Sequence, residues 1–311
     1  MTLQCRNREN ALKQRSKIQE MDPRDYSNYH HPLTGMFEIP KTQKDWEKYR
    51  LTEEQVTFFK ENGYVSGIKL LEDWQVDLLR NELADLMVPS HPLNHYFYEY
   101  HSNESKDRNA VLFHSLGHWR IARGYHDILW NPAFLMAAHQ LLGNKNVRFW
   151  HDQLFCKPAK HGGVVAWHQD YSYWTRTVEM QHLTCWTALD DATAENGCLH
   201  YIPGSHRWGL LQKPELAGSM DSIMEFLDQD QKKQFQPIPI ELQKGYSTFH
   251  HPLLLHGSYE NKSERSRRAF VLNVFADGTR SNTSQPLLNG VPIIEKGKKI
   301  EGRFFPLLFD T

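Results

Sequence analysis

The run Val147-Arg148-Phe149-Trp150-His151-Asp152-Gln153-Leu154-Phe155-Cys156-Lys157 marks where the chain changes from a helical to an extended pattern. Further short alternating runs follow at residues 164–167, 183–189, 198–202, 246–249 and 269–275. Turn-rich pieces such as Glu195-Asn196-Gly197 and Pro203-Gly204-Ser205 separate them. Many short strands with this punctuation favour an antiparallel barrel or sandwich. The strands are interrupted at residues 213–235, where a helix is predicted over 220–234.

N-terminal to that run, the pattern is helical. Thr52 is a candidate N-cap with acidic residues in the first turn, and Gly63 suits the position just past the helix end. A strand is expected over 64–68. A second amphipathic helix is expected over 72–86, with Trp74, Val76, Leu78, Leu79, Leu83 and Leu86 as its apolar residues. A third, over 132–142, ends at Gly143. Residues 1–50 are polar and poor in aliphatics, and Pro23, Pro32 and Pro40 break any long helix there. This stretch reads as an N-terminal extension, wrapped on the domain or partly loose. The rest, 51–311, reads as one domain with its β core at about 146–276.

The length of 311 residues allows a sizeable core, and 40% hydrophobic with 23% charged residues is ordinary for a globular protein. Lys plus Arg number 36 and Asp plus Glu 37, a formal net charge of −1. That balance gives no electrostatic reason to expect nucleic acid or an anionic membrane as partner. No apolar run is long enough to span a bilayer. The N-terminus does not read as a secretory signal, and Phe309-Asp310-Thr311 is not a peroxisomal address. Cys5, Cys156, Cys185 and Cys198 form no Cys-x-x-Cys pair and read as free thiols. A cytoplasmic location is the default expectation.

Eighteen histidines make any lone one uninformative. The informative feature is a histidine with a carboxylate at strand spacing, and Trp167-His168-Gln169-Asp170 supplies one. On a strand, residues i and i+2 share a face, so His168 and Asp170 could grip one ion. A second histidine from a distant strand would complete a facial triad of two histidines and one carboxylate. Such a triad leaves adjacent positions open on iron(II). The candidates are His250, His251 and His256. His251 precedes Pro252 and suits a turn. His256 is expected where an apolar strand ends, just before Gly257.

On these residues the chain resembles the phytanoyl-CoA dioxygenase family of iron(II)- and 2-oxoglutarate-dependent oxygenases, over about 51–276. The matching motifs are His168-Gln169-Asp170, the ordered run from Asn196-Gly197-Cys198 to Gly204-Ser205-His206, and His256-Gly257-Ser258 followed by Asn261 and Ser263. The resemblance implies a double-stranded β-helix (jelly-roll, cupin-like) with the earlier helices buttressing one sheet. It also implies His168, Asp170 and His256 as ligands of iron(II), with 2-oxoglutarate as cosubstrate and O2 as oxidant. The expected reaction is hydroxylation of an unactivated C–H bond of a small molecule, with release of succinate and CO2. Desaturation and ring formation use the same ligands. Halogenating relatives replace the carboxylate found here as Asp170 with a small residue.

The distal carboxylate of 2-oxoglutarate needs a buried cation, and arginine gives a bidentate pair that stays charged. Arg265, Arg267 and Arg268 follow His256, and strand alternation does not choose between Arg267 and Arg268. In the family the arginine lies eleven residues after the last histidine, which selects Arg267. Gln169 and Trp186 match family residues lining the cosubstrate pocket, and Ser258 shares the face of His256. Tyr171, Tyr173 and Trp174 could form an aromatic wall or plain packing. His206 and Arg207 are expected near the mouth. Two other readings compete: a non-catalytic or sensing protein that keeps the site, and a cupin-like metal isomerase or hydrolase without cosubstrate. The full set His168, Asp170, His256 and Arg267 disfavours both. The sequence does not identify the substrate or the oligomeric state.

Overall fold

Helix α1 (Glu53–Asn62) shows why its ends fall where they do. Thr52 Oγ1 accepts from the Gln55 amide at 3.2 Å, and the Gln55 side chain accepts from the Thr52 amide at 2.9 Å. This reciprocal cap satisfies amides that have no partner within the helix. Gly63 ends the helix in the left-handed region at φ 82°. A Cβ there would also lie 2.6 Å from His206 Nδ1, so glycine is required on two grounds.

The computed structural model describes residues 22–105, 107–213 and 215–310. Cys5 and the first twenty residues read for a signal lie outside the described residues, as does Thr311. In helix α2 (Asp73–Leu86) the buried apolar residues are Val76, Leu79, Leu83 and Leu86. Trp74 is 55% exposed and Leu78 36%, contrary to the wider apolar face expected. At about 100° per residue both fall off the stripe that 76, 79 and 83 define. Helix α3 (Pro132–Leu141) is capped by Asn131, which accepts from the Phe134 amide at 3.0 Å, with proline in the first turn.

The strands are β1 (Tyr64–Lys69), β2 (Glu99–His101), β3 (Phe113–Leu116), β4 (Val147–Lys157), β5 (Val165–His168), β6 (Thr177–Val178), β7 (His182–Ala188), β8 (Leu199–Tyr201), β9 (Ile238–Ile240), β10 (Tyr246–His250), β11 (His256–Ser258), β12 (Arg267–Ala276), β13 (Arg280–Ser281) and β14 (Leu307–Phe309). The large sheet runs β1-β10-β7-β12-β4-β3-β2, with β14 also on β4, and the small sheet runs β5-β11-β8-β9. Strands β6 and β13 form a separate ribbon. The pairings are antiparallel, and the fold is mostly β with flanking helices: a cupin-like double-stranded β-helix.

Parity along β12 shows how the layers form. Phe270, Leu272 and Val274 join a core with Val76, Leu79 and Phe134 of the helices. Ala269 and Val271 face inward, with Trp186 and Leu199. The helices therefore buttress the outer face of the large sheet. The small sheet is covered on its outer side by Ile223 and Leu227 against Trp167, Ile202 and Leu255.

The helix predicted over 220–234 is split. A 3-10 turn spans Met220–Glu225 and helix α5 spans Gln229–Gln234, while α4 (Tyr171–Trp174) is a single turn after β5. The break comes from Asp228, whose carboxylate accepts the amides of Asp230 and Gln231 and so starts a new helix. Residues 22–50 lie against the helical layer. Asp25 is buried between Arg120 and Arg303, and the Asp127 carboxylate accepts the amides of Leu33 and Thr34, each at 2.6 Å. Among the described residues no helix is long and apolar enough to cross a membrane.

Candidate active site

Strand β5 pairs with β11 so that His168 and His256 are direct cross-strand partners, and their rings lie 4.1 Å apart, centroid to centroid. Direct partners on neighbouring antiparallel strands share a face. Each Nδ1 meets a backbone carbonyl two residues earlier, Ala166 O at 2.7 Å and Leu254 O at 2.9 Å. A carbonyl can only accept, so both Nδ1 atoms carry the proton and both Nε2 lone pairs are free. Burial pushes the His256 imidazole well below its ordinary pKa, towards the neutral form a metal needs.

Asp170 reaches this pair by a different route from the one expected. Strand β5 ends at His168, and Asp170 has helical backbone angles (φ −55°, ψ −42°) at the start of α4. The shared orientation of His168 and Asp170 is thus made by a strand-to-helix turn and not by strand pleating. Asp170 Oδ1 lies 3.6 Å from His168 Nε2 and 3.7 Å from His256 Nε2. All three side chains are buried and could hold one metal ion. His256 also differs in detail from expectation. It opens β11 rather than closing a strand, and Leu254-Leu255 before it is loop.

The cavity lies between the sheets and measures about 590 Å³. Arg267 is in phase with the inward Ala269 and Val271, and its side chain reaches this cavity. Its Nη2 donates to Gly197 O at 2.7 Å and Ser258 Oγ at 3.1 Å, and the guanidinium lies 5.3 Å from the centre of the Trp186 ring. Its Nε is buried with no partner among the described residues. Burial lowers Arg267 to about 10, so it stays charged at neutral pH. Arg268, one residue on, points the other way and makes a two-point pair with Asp190 at 2.8 and 2.7 Å. Arg265 lies with Arg268 along a separate surface depression.

Trp186 and Ser258 line the cavity, and so do Tyr173 and Trp174. Gln169 does not. Its side chain donates to Gly209 O and Leu253 O and accepts from the Leu211 amide, so it ties loops together behind the site. Its place between two inward residues is the reason: the turn that brings Asp170 in sends Gln169 out. Tyr171 is also turned away, donating to Thr177 O at 2.8 Å. His206 and Arg207 are not at the mouth. They meet Lys60 O and Glu61 O and so cap the last carbonyls of α1.

Several inward residues were not read from the sequence. Thr184 lies two before Trp186 on β7, and His151 and Gln153 project from β4 into the same cavity. Strand parity from Trp186 would have found Thr184. His250, weighed as a ligand, instead approaches the far oxygen of Asp170, Oδ2, at 3.0 Å.

Residues 59–269 match the family model described as Phytanoyl-CoA dioxygenase (PhyH). The chain belongs to the phytanoyl-CoA dioxygenase family. A curated relative named "Phytanoyl-CoA dioxygenase, peroxisomal" from Bos taurus is 27% identical over 255 residues, 73% of this chain and 69% of its own. A "Phytanoyl-CoA dioxygenase domain-containing protein 1 homolog" from Dictyostelium discoideum is 26% identical over 74% of this chain and 92% of its own. Among solved structures, the non-heme alpha ketoglutarate dependent epimerase SnoN from nogalamycin biosynthesis superposes with a TM-score of 0.67, at 20% identity over 83% of this chain and 98% of its own. EctD from S. alaskensis, solved with 2-oxoglutarate and 5-hydroxyectoine, gives 0.65, at 18% identity over 91% and 94%. The family's chemistry makes this protein a 2-oxoglutarate-dependent oxygenase with iron as its metal and O2 as its oxidant.

Proposed function

We propose that the protein hydroxylates an unactivated C–H bond of a small molecule and converts 2-oxoglutarate to succinate and CO2. The observation that carries this reading is the triad His168, Asp170 and His256, with both Nε2 lone pairs freed by Nδ1–carbonyl bonds. We assign these three as the iron ligands. Iron bound there supplies oxygen activation and C–H cleavage. The chain's own residues orient and enclose. Arg267 takes the distal carboxylate of 2-oxoglutarate as a charge-assisted pair, Ser258 holds that guanidinium, and the Trp186 ring walls the channel. Tyr173 and Trp174 flank the substrate end and limit water there. Asp170 keeps the position that halogenating relatives leave open for halide, so oxygen transfer is favoured.

Both signs of charge line the cavity, Glu99, Glu104 and Glu215 together with Arg176 and Lys213. That lining suits a small polar substrate. We take residues 51–311 as the catalytic unit. Cys156, Cys185 and Cys198 are buried free thiols, which suits a reducing compartment such as the cytoplasm.

Anaerobic addition of iron(II) and then 2-oxoglutarate should give the visible charge-transfer band of the chelate. Metal-loaded protein without that band would refute the reading. Succinate release on exposure to O2, screened over amino acids, acyl thioesters and small solutes, then addresses the substrate.

A further inference from the structure

Asp170 offers one oxygen to the triad and hides the other. Oδ1 faces His168 and His256, while Oδ2 receives the Thr184 hydroxyl at 2.5 Å and His250 Nε2 at 3.0 Å. His250 is 1% exposed and ends strand β10, next to β7, which carries Thr184. Their backbones are direct cross-strand partners. The two donors thus come from paired positions on the rigid large sheet, whereas Asp170 itself sits on a turn.

The tautomer of His250 is backed from behind. Its Nδ1 lies 2.9 Å from the Tyr201 hydroxyl. Tyr201 also approaches Thr248 Oγ1, at the longer 3.3 Å, and Thr248 gives its own proton to Val65 O. Asp170 Oδ2 can only accept, which puts the His250 proton on Nε2, and the Tyr201 hydroxyl, shared with Thr248 Oγ1, backs that tautomer by donating to Nδ1. Thr184 Oγ1 also lies 3.0 Å from Asn273 Oδ1, and Asn273 Nδ2 approaches His151 Nδ1 at 3.3 Å. Every member of this chain is buried.

We infer that His250, backed by Tyr201, is a positioning residue that works with Thr184 to hold Asp170 one-armed. The hydrogen bonds occupy Oδ2, so the carboxylate presents Oδ1 alone to the metal and cannot chelate with both oxygens. Chelation by both would fill a position that 2-oxoglutarate or O2 needs. The inference rests on the proposed ligand assignment of Asp170. Partners that orient a ligand in this way are worth about 10- to 100-fold in metal affinity.

The test compares wild type, His250→Phe, His250→Gln and Tyr201→Phe. Two readouts are used: manganese(II) affinity without cosubstrate, by calorimetry, and the position of the anaerobic iron(II)–2-oxoglutarate band. His250→Phe should bind manganese(II) about 10-fold or more weakly and shift the band. His250→Gln, which keeps an N–H donor, should stay within a few-fold of wild type. Tyr201→Phe removes that backing and should weaken manganese(II) a few-fold without loss of folding. Wild-type affinity and an unshifted band in His250→Phe would overturn the inference, as would equal losses in His250→Gln and His250→Phe. If His250→Phe does not fold, Tyr201→Phe decides, and unchanged manganese(II) affinity there overturns it. A wild-type protein that shows no band at all fails the ligand assignment instead, so the two failures are distinct.

Discussion

Arg267 and Arg268 are neighbours in sequence with opposite surroundings, and substitution should separate them. Arg267 is buried in the cavity with an Nε that has no partner among the described residues, and Arg268 is half-buried and clamped on Asp190 outside it. A hydrogen bond to a charged group is worth about 1.5–3 kcal/mol, so Arg267→Ala should raise the KM for 2-oxoglutarate by about 10- to 100-fold. Arg268→Ala should leave that KM near wild type and cost about 1 kcal/mol of stability at most. Steady-state titration of 2-oxoglutarate with both variants checks this, and a KM effect confined to Arg268→Ala would transfer the anchor to it. Asp170→Ala should abolish turnover and weaken metal binding, since it removes the one carboxylate of the triad. Full turnover in that variant would refute the ligand assignment. The sequence made the triad legible through its motif, but not the way Asp170 is held. The pleat argument assumed a strand through residue 170, and nothing local signals that β5 stops at His168. The choice of arginine was invisible to alternation because β12 is apolar on both faces, one towards the helices and one towards the small sheet.

At the scale of elements, the parts with local causes were the ones the sequence could reveal. The Thr52 cap, the glycine stop at Gly63, the eleven-residue β4 and the β12 run all correspond to signals within a few residues. The three-residue strands β8, β9 and β11 gain their definition from partners far along the chain, so their ends shift or vanish in a local reading. The α1 terminus illustrates how the two kinds of cause meet. Gly63 adopts a backbone region that costs other residues about 1–2 kcal/mol, and its missing Cβ leaves room for the His206 ring. Gly63→Ala should therefore destabilise the fold by about 2 kcal/mol or more, read as a lower urea midpoint at unchanged m-value. The same substitution should spare manganese(II) affinity in the folded fraction, because His206 and Arg207 serve the helix end and not the cavity. A variant as stable as wild type would show that this contact is slack.

For the whole molecule, the segment from residue 22 is where distant parts of the chain are tied. Asp25 meets Arg120 and Arg303, each at 2.5 Å, and so joins the N-terminal segment, the helical layer and the C-terminal stretch. Burial would favour the neutral acid, but the hydrogen bond and charge of Arg120, with Ser27 and Arg303, outweigh it and lower the Asp25 pKa. The unfolded chain then binds a proton at higher pH than the folded one. The stabilisation from this group is present above the ordinary carboxyl range, about pH 4, and is lost as pH falls through the depressed folded value. Asp25→Asn removes that term and leaves two arginines facing an amide, so it should cost about 3–5 kcal/mol at neutral pH. Between pH 5 and 3 its stability should fall less steeply than that of wild type. Urea unfolding across that range measures both quantities. Parallel slopes for the two proteins would mean that Asp25 titrates alike when folded and unfolded, and the segment would then be held by Met36 and the Asp127 amide contacts instead.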